Sequence, residues 1–184
     1  MCSSDLAAAG LRVAAVDWPA TRRSPSLAFN LPFFKDQRVF ETQTARAVWD
    51  ELKAAGFPME RQGDWANLPR RFMKDTMVAE VAAHAVHRHA PDMLMVHFLC
   101  ADSHQHLYGP RSPEAYWAIE HVDACIGRLL SALPGNVRER AAVFVVSDHG
   151  FLPSSVTSAR TSGCGGSARC AAMAPRDSPA RRAS

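Results

Sequence analysis

The sequence predicts an α/β domain with a mostly parallel sheet flanked by helices, on three observations. Two continuous apolar runs, residues 93–99 and 141–146, have the length and character of strands buried on both faces, as in parallel sheets. Between them Ala118, Val122, Ile126, Leu129 and Leu133 line one stripe of a helix, so strand, helix and strand make a crossover unit. The 184 residues are 47% hydrophobic and 21% charged, which suits one domain with a real core and not two.

Each element has its own signal. Leu11 to Val16 reads as a short buried strand closed by Trp18 and Pro19. Residues 20–40 carry prolines and arginines without a period and read as loop. From Thr44 to Ala55, residues Ala47, Val48, Leu52 and Ala55 share one helical face, and Gly56 stops it. Residues 56–69 read as loop. Phe72 to His89 repeats Val78, Val81, Ala82, Ala85 and Val86 at threes and fours, an amphipathic helix ended by Pro91. After the 93–99 run comes a loop from Cys100 to Pro113. Ser112 is a helix N-cap with Pro113 at the first helical position and Glu114 in the first turn. Pro134, Gly135 and Asn136 break that helix before the second run.

Charge and length exclude several classes. No apolar run approaches the ~20 residues of a membrane helix, so no span is expected. The net charge is +3, but residues 153–184 hold five arginines and one aspartate, a balance of +4 that leaves the body at −1. A body of that charge offers no nucleic-acid footprint. Five cysteines show no C-x-x-C pair and no disulfide framework. Residues 7–152 are the domain. Residues 153–184, rich in Ser, Ala and Arg, are expected to be a disordered or out-of-frame tail, and Met1–Leu6 is set aside with them.

Two polar segments carry the chemistry, and each follows an apolar run. One holds Asp102, His104 and His106; the other holds Asp148 and His149. Ligands of open α/β sheets bind outside the carboxyl ends of the strands. Each segment offers a carboxylate and an imidazole, a mixed donor set suited to Zn²⁺ and similar divalent ions. Asp102 and His106 are separated by three residues, so one turn can aim both at one ion. Joined by one helix, the two segments would place four ligands side by side, and paired ions ~3.5–4 Å apart are a recurring device of phosphoryl hydrolysis. Ser103 and Ser147 are expected to satisfy loop backbone groups, His104 to be solvated or to support the ligands from behind, and His84, His87 and His89 to lie on a solvated face. His97 is expected to be a hydrogen-bonded core residue.

Residues 91–151, with D-x-x-x-H before Tyr108-Gly109-Pro110, Val122-Asp123 in the helix and Ser147-Asp148-His149-Gly150 after the second run, resemble the type I phosphodiesterase/nucleotide pyrophosphatase family of the alkaline phosphatase superfamily. Residues 6–90 fit more loosely. The resemblance implies an alkaline-phosphatase-like fold, incomplete at both ends here. It implies two divalent ions, zinc before other metals, with Asp102 and His106 on one and Asp148 and His149 on the other. It also implies a small phosphorylated substrate, cleaved at a phosphodiester or pyrophosphate bond by a Thr or Ser hydroxyl through a covalent phospho-enzyme. Nothing here matches the family's early aspartate, its nucleophile or its late histidine. The expectation is therefore a fragment with four of the usual six Asp/His ligands, inactive alone. The alternatives are a non-catalytic metal-binding or interaction protein, or another branch of the superfamily, a sulfatase or a metal-dependent phosphoglycerate mutase.

Overall fold

A computed structural model describes residues 3–153. The predicted tail, from Ser154 onward, lies outside the described residues. Helix α1 is Ser3–Ala8, within and just after the segment set aside above. Strand β1, Val13–Trp18, is followed by β2, Phe29–Pro32, and both belong to a parallel sheet ordered β2-β1-β3, with β3 at Met93–Val96. Between β2 and β3 lie α2 (Gln37–Gln43), α3 (Arg46–Ala54), a 3₁₀ turn (Met59–Arg61), α4 (Gln62–Trp65) and the long α5 (Arg71–His89). After β3 come α6 (Cys100–Tyr108), α7 (Pro113–Ala132) and the single turn α8 (Gly135–Arg138). The α/β class with a small parallel sheet flanked by helices is the predicted one, consistent with an alkaline-phosphatase-like fold.

The core follows from the periods of its elements. Val13 to Val16 are wholly buried, as a central parallel strand requires. Ala14 and Val16 from β1 and Phe29 and Leu31 from β2 alternate along their strands and share one face. That face packs on Phe40 of α2, Leu52 of α3 and the stripe Val78, Val81, Ala82 and Ala85 of α5. The Ser112 cap is realised, with the Ala115 N–H donating to Ser112 Oγ at 3.1 Å and Pro113 leading α7.

Five readings of the sequence are corrected. Residues 56–69 are not loop throughout but contain the 3₁₀ turn Met59–Arg61 and α4. Residues 20–40 contain β2 and the start of α2; β2 is four residues long and forms only because β1 offers it a ladder. The segment after β3 is a helix rather than a loop. β3 is an edge strand, half exposed along its length, so the 93–99 run is not buried on both faces. Residues 141–146 form no strand; Phe144, Val145 and Val146 are largely exposed, because among the described residues no neighbouring strand takes up their backbone groups. The crossover unit predicted around α7 is therefore not closed, and of its stripe only Ala118 is fully buried, with Ala115 and Cys125 beside it.

Candidate metal centre

The chain leaves β3 at Val96, passes His97 and Leu99, and turns at once into α6. Asp102 and His106 stand one helical turn apart, so their side chains leave the same face. His106 Nε2 lies 3.3 Å from Asp102 Oδ1. The 147–151 segment runs past the same spot. His149 Nε2 is 3.6 Å from that Asp102 oxygen and 3.7 Å from Asp148 Oδ2. One ligand atom from each of Asp102, His106 and His149 lies within 4.8 Å of the others. Two imidazole nitrogens and a carboxylate oxygen are a donor set that Zn²⁺ accepts. Phe151 walls the group, its ring 4.8 Å from the His106 ring and 5.2 Å from the His149 ring.

Asp148 approaches His149 but is not one of the three mutually close donors. Its side chain is 88% exposed and holds its neighbour, with the His149 N–H donating to Asp148 Oδ1 at 3.0 Å. Ser147 Oγ donates to the His149 carbonyl, a backbone role. The geometry thus joins His149 to the Asp102–His106 turn and leaves Asp148 at the rim.

Of the other histidines, His87 is exposed, as the sequence predicted, and the rest have structural partners. His104, on the opposite side of α6, is buried rather than solvated, and its Nδ1 lies 2.9 Å from the Cys100 carbonyl. His84 and His89 are not on a solvated face; their Nε2 atoms lie 2.7 and 2.8 Å from one oxygen of Glu51, joining α5 to α3. Burial pushes the Glu51 carboxyl up, but hydrogen bonds from these two rings outweigh it and hold the group below its ordinary range. His97 Nδ1 lies 3.1 Å from the Asp17 carbonyl, the predicted core role. Burial pushes the Cys100 thiol up to about 12, so it is no nucleophile near neutrality.

Beneath this surface lies a set of buried charges that the sequence reading did not pick out. Asp17 bulges out of β1 with φ 54°, and its carboxylate is 2.9 Å from Lys74 Nζ, both side chains being 1% exposed. The Lys74 ammonium also sits 4.5 Å from the centre of the Phe33 ring. Asp75 accepts hydrogen bonds from the Leu99 and Cys100 amides, and Arg71 donates to the Ala66 carbonyl. Burial raises the Asp17 carboxyl to about 7 despite the attraction of Lys74, and it lowers Lys74 and Arg71. A signal existed in the sequence: the apolar stripe of α5, continued backward from Val78, runs through Lys74, Asp75 and Arg71. Charges that fall on a core stripe must be paired inside.

No helix among the described residues is long and apolar enough to cross a membrane. The profile of the type I phosphodiesterase / nucleotide pyrophosphatase family matches residues 3–161. An uncharacterized pyrophosphatase/phosphodiesterase of Schizosaccharomyces pombe is 35% identical over 66 residues, 35% of this chain and 14% of the relative. The match thus spans about one seventh of that protein's length. No solved structure matches. On the family match, which covers most of the sequence and includes both Asp/His segments, this chain belongs to the type I phosphodiesterase/nucleotide pyrophosphatase family.

Proposed function

We propose that this chain supplies part of the divalent-metal centre of a hydrolase that cleaves phosphodiester or pyrophosphate bonds in small, nucleotide-like phosphorylated substrates. Asp102 and His106 hold one ion, and Asp148 and His149 hold a second, with zinc the preferred metal. The observation that carries the reading is the convergence of Asp102, His106 and His149 from two separate segments at one point beyond the carboxyl end of β3. When bound, such ions neutralise charge on phosphoryl oxygens and acidify an attacking hydroxyl. The residues of this chain do the rest: α6 presents Asp102 and His106 from one face, and the rings of His106, His149 and Phe151 shield one flank. The attacking Thr or Ser hydroxyl, a further aspartate and a further histidine come from outside these residues.

The test is hydrolysis of bis-(p-nitrophenyl) phosphate in the presence of zinc by this chain joined to segments carrying those three groups. Activity is expected, and its loss in Asp102→Ala and Asp148→Ala. Activity unchanged by either substitution would contradict the assignment.

A further inference from the structure

The helix that carries Asp102 and His106 begins without a cap of its own. Leu99 occupies its N-cap position and offers no side-chain acceptor to the first turn. The first backbone N–H groups of any helix lack partners within the helix, and buried donors must find them elsewhere. Here they find one on another helix. The Leu99 N–H donates to both Asp75 oxygens, at 3.1 and 3.0 Å, and the Cys100 N–H donates to Asp75 Oδ2 at 2.8 Å. Asp75 is wholly buried, and so is Cys100. The carboxylate therefore faces the positive end of the α6 dipole at hydrogen-bond distance, with no water to compete.

The same turn of α5 reaches a second strand tip. Lys74, next to Asp75, pairs with Asp17 at the end of β1. Arg71, one turn earlier, is also buried and lies within the field of Asp17, Asp75 and Asp102. One buried turn of α5 thus grips both the end of β1 and the start of α6. A helix entry held by a chelating carboxylate on a long, core-packed helix has little freedom to slide or rotate. Asp102 is two residues beyond that entry, and His106 one turn further.

We infer that Asp75 is a positioning residue for the candidate metal centre: by capping α6 from a different helix, it fixes the register and tilt that bring Asp102 and His106 into line with His149. This rests on the reading that these three residues all belong to the divalent-metal centre. Groups that hydrogen-bond metal ligands typically change metal affinity by about 10–100-fold when removed, and Asp75, which acts through the helix entry two residues before Asp102, is expected at the low end of that range.

The experiment uses the full 184-residue chain and Co²⁺ as the probe, with affinity read from the visible absorption of the bound ion. Wild type, Asp75→Asn and Leu52→Ala are compared. Leu52→Ala opens the core at α3, so it lowers the melting temperature without touching α6. Asp75→Asn is expected to weaken Co²⁺ binding by about tenfold or more, while Leu52→Ala leaves it unchanged at temperatures where both are folded. A second measurement needs no variant. In wild type, the Leu99 and Cys100 amides are expected to exchange with deuterium as slowly as those in the middle of α5. Binding by wild type with equal binding by Asp75→Asn overturns the role of Asp75 alone, as does rapid exchange at Leu99 and Cys100. Failure of wild type to bind Co²⁺ with both amides still protected overturns the reading of the metal centre and leaves the cap standing.

Discussion

Removing Lys74 is the sharpest perturbation of the fold. Its ammonium and the Asp17 carboxylate are 2.9 Å apart and each 1% exposed, so neither charge has water to fall back on. Lys74→Met keeps most of the side-chain volume over Phe33 but strands the carboxylate. Breaking a buried pair from one side costs about 3–5 kcal/mol, because the remaining charge is left desolvated. Domains of this size are stable by about 5–15 kcal/mol, so the single variant forfeits a large share of the total. Removing both charges has a different outcome. Asp17→Asn with Lys74→Met eliminates the desolvation of both groups, and such replacements are often close to neutral. Asn suits the position because Asp17 has φ 54°, a left-handed conformation that Asn adopts more readily than most residues. Urea denaturation of the three chains at about pH 9, above the raised Asp17 pKa so that the stranded carboxyl is driven toward its charged form, gives the comparison. The account predicts a loss of about 3–5 kcal/mol for the single variant and recovery of most of it in the double. A single variant within about 1 kcal/mol of wild type, or a double variant as weak as the single, refutes the reasoning.

Two further outcomes follow from the same structure. The folded Asp17 carboxyl is raised by burial from 3.8 to about 7, so between those values the folded chain holds a proton that the unfolded chain has released. The contribution of this group to stability is therefore greatest below about pH 4 and declines as the pH rises through about 7. Wild type should lose stability relative to Asp17→Asn between about pH 4 and pH 7 in paired urea titrations, and parallel curves would contradict the burial argument. Ser112→Ala removes the acceptor of the Ala115 N–H at the start of α7 and should cost about 1 kcal/mol, read as a lower urea midpoint with unchanged slope.

What was legible in the sequence is what is decided locally. β1, α3, α5 and α7 carry their own periods, and the Ser112-Pro113-Glu114 start of α7 needs no distant partner. β2 was not legible, because Phe29 to Pro32 is too short to show alternation and is a strand only through its ladder with β1. α6 was hidden for a similar reason: Cys100 to Tyr108 has no apolar stripe, and its first turn is completed by Asp75, 25 positions earlier in the chain. The 141–146 run shows the converse. It has strand composition throughout, but composition does not supply the neighbours that a two-faced strand needs. At the candidate metal centre, residue types and the one-turn spacing of Asp102 and His106 could be read directly. The approach of His149 to Asp102 could not, since it depends on the path of the chain after α7.

Asp102, His106 and His149 are central to the proposal as ligands of one divalent-metal centre. Titration of the chain with Co²⁺, followed by visible absorption and repeated for Asp102→Ala, His106→Ala and His149→Ala, tests it most directly. The account predicts a saturable visible band in wild type and binding weakened by about tenfold or more in each variant. Absence of the band in wild type, or undiminished binding in all three variants, would contradict it.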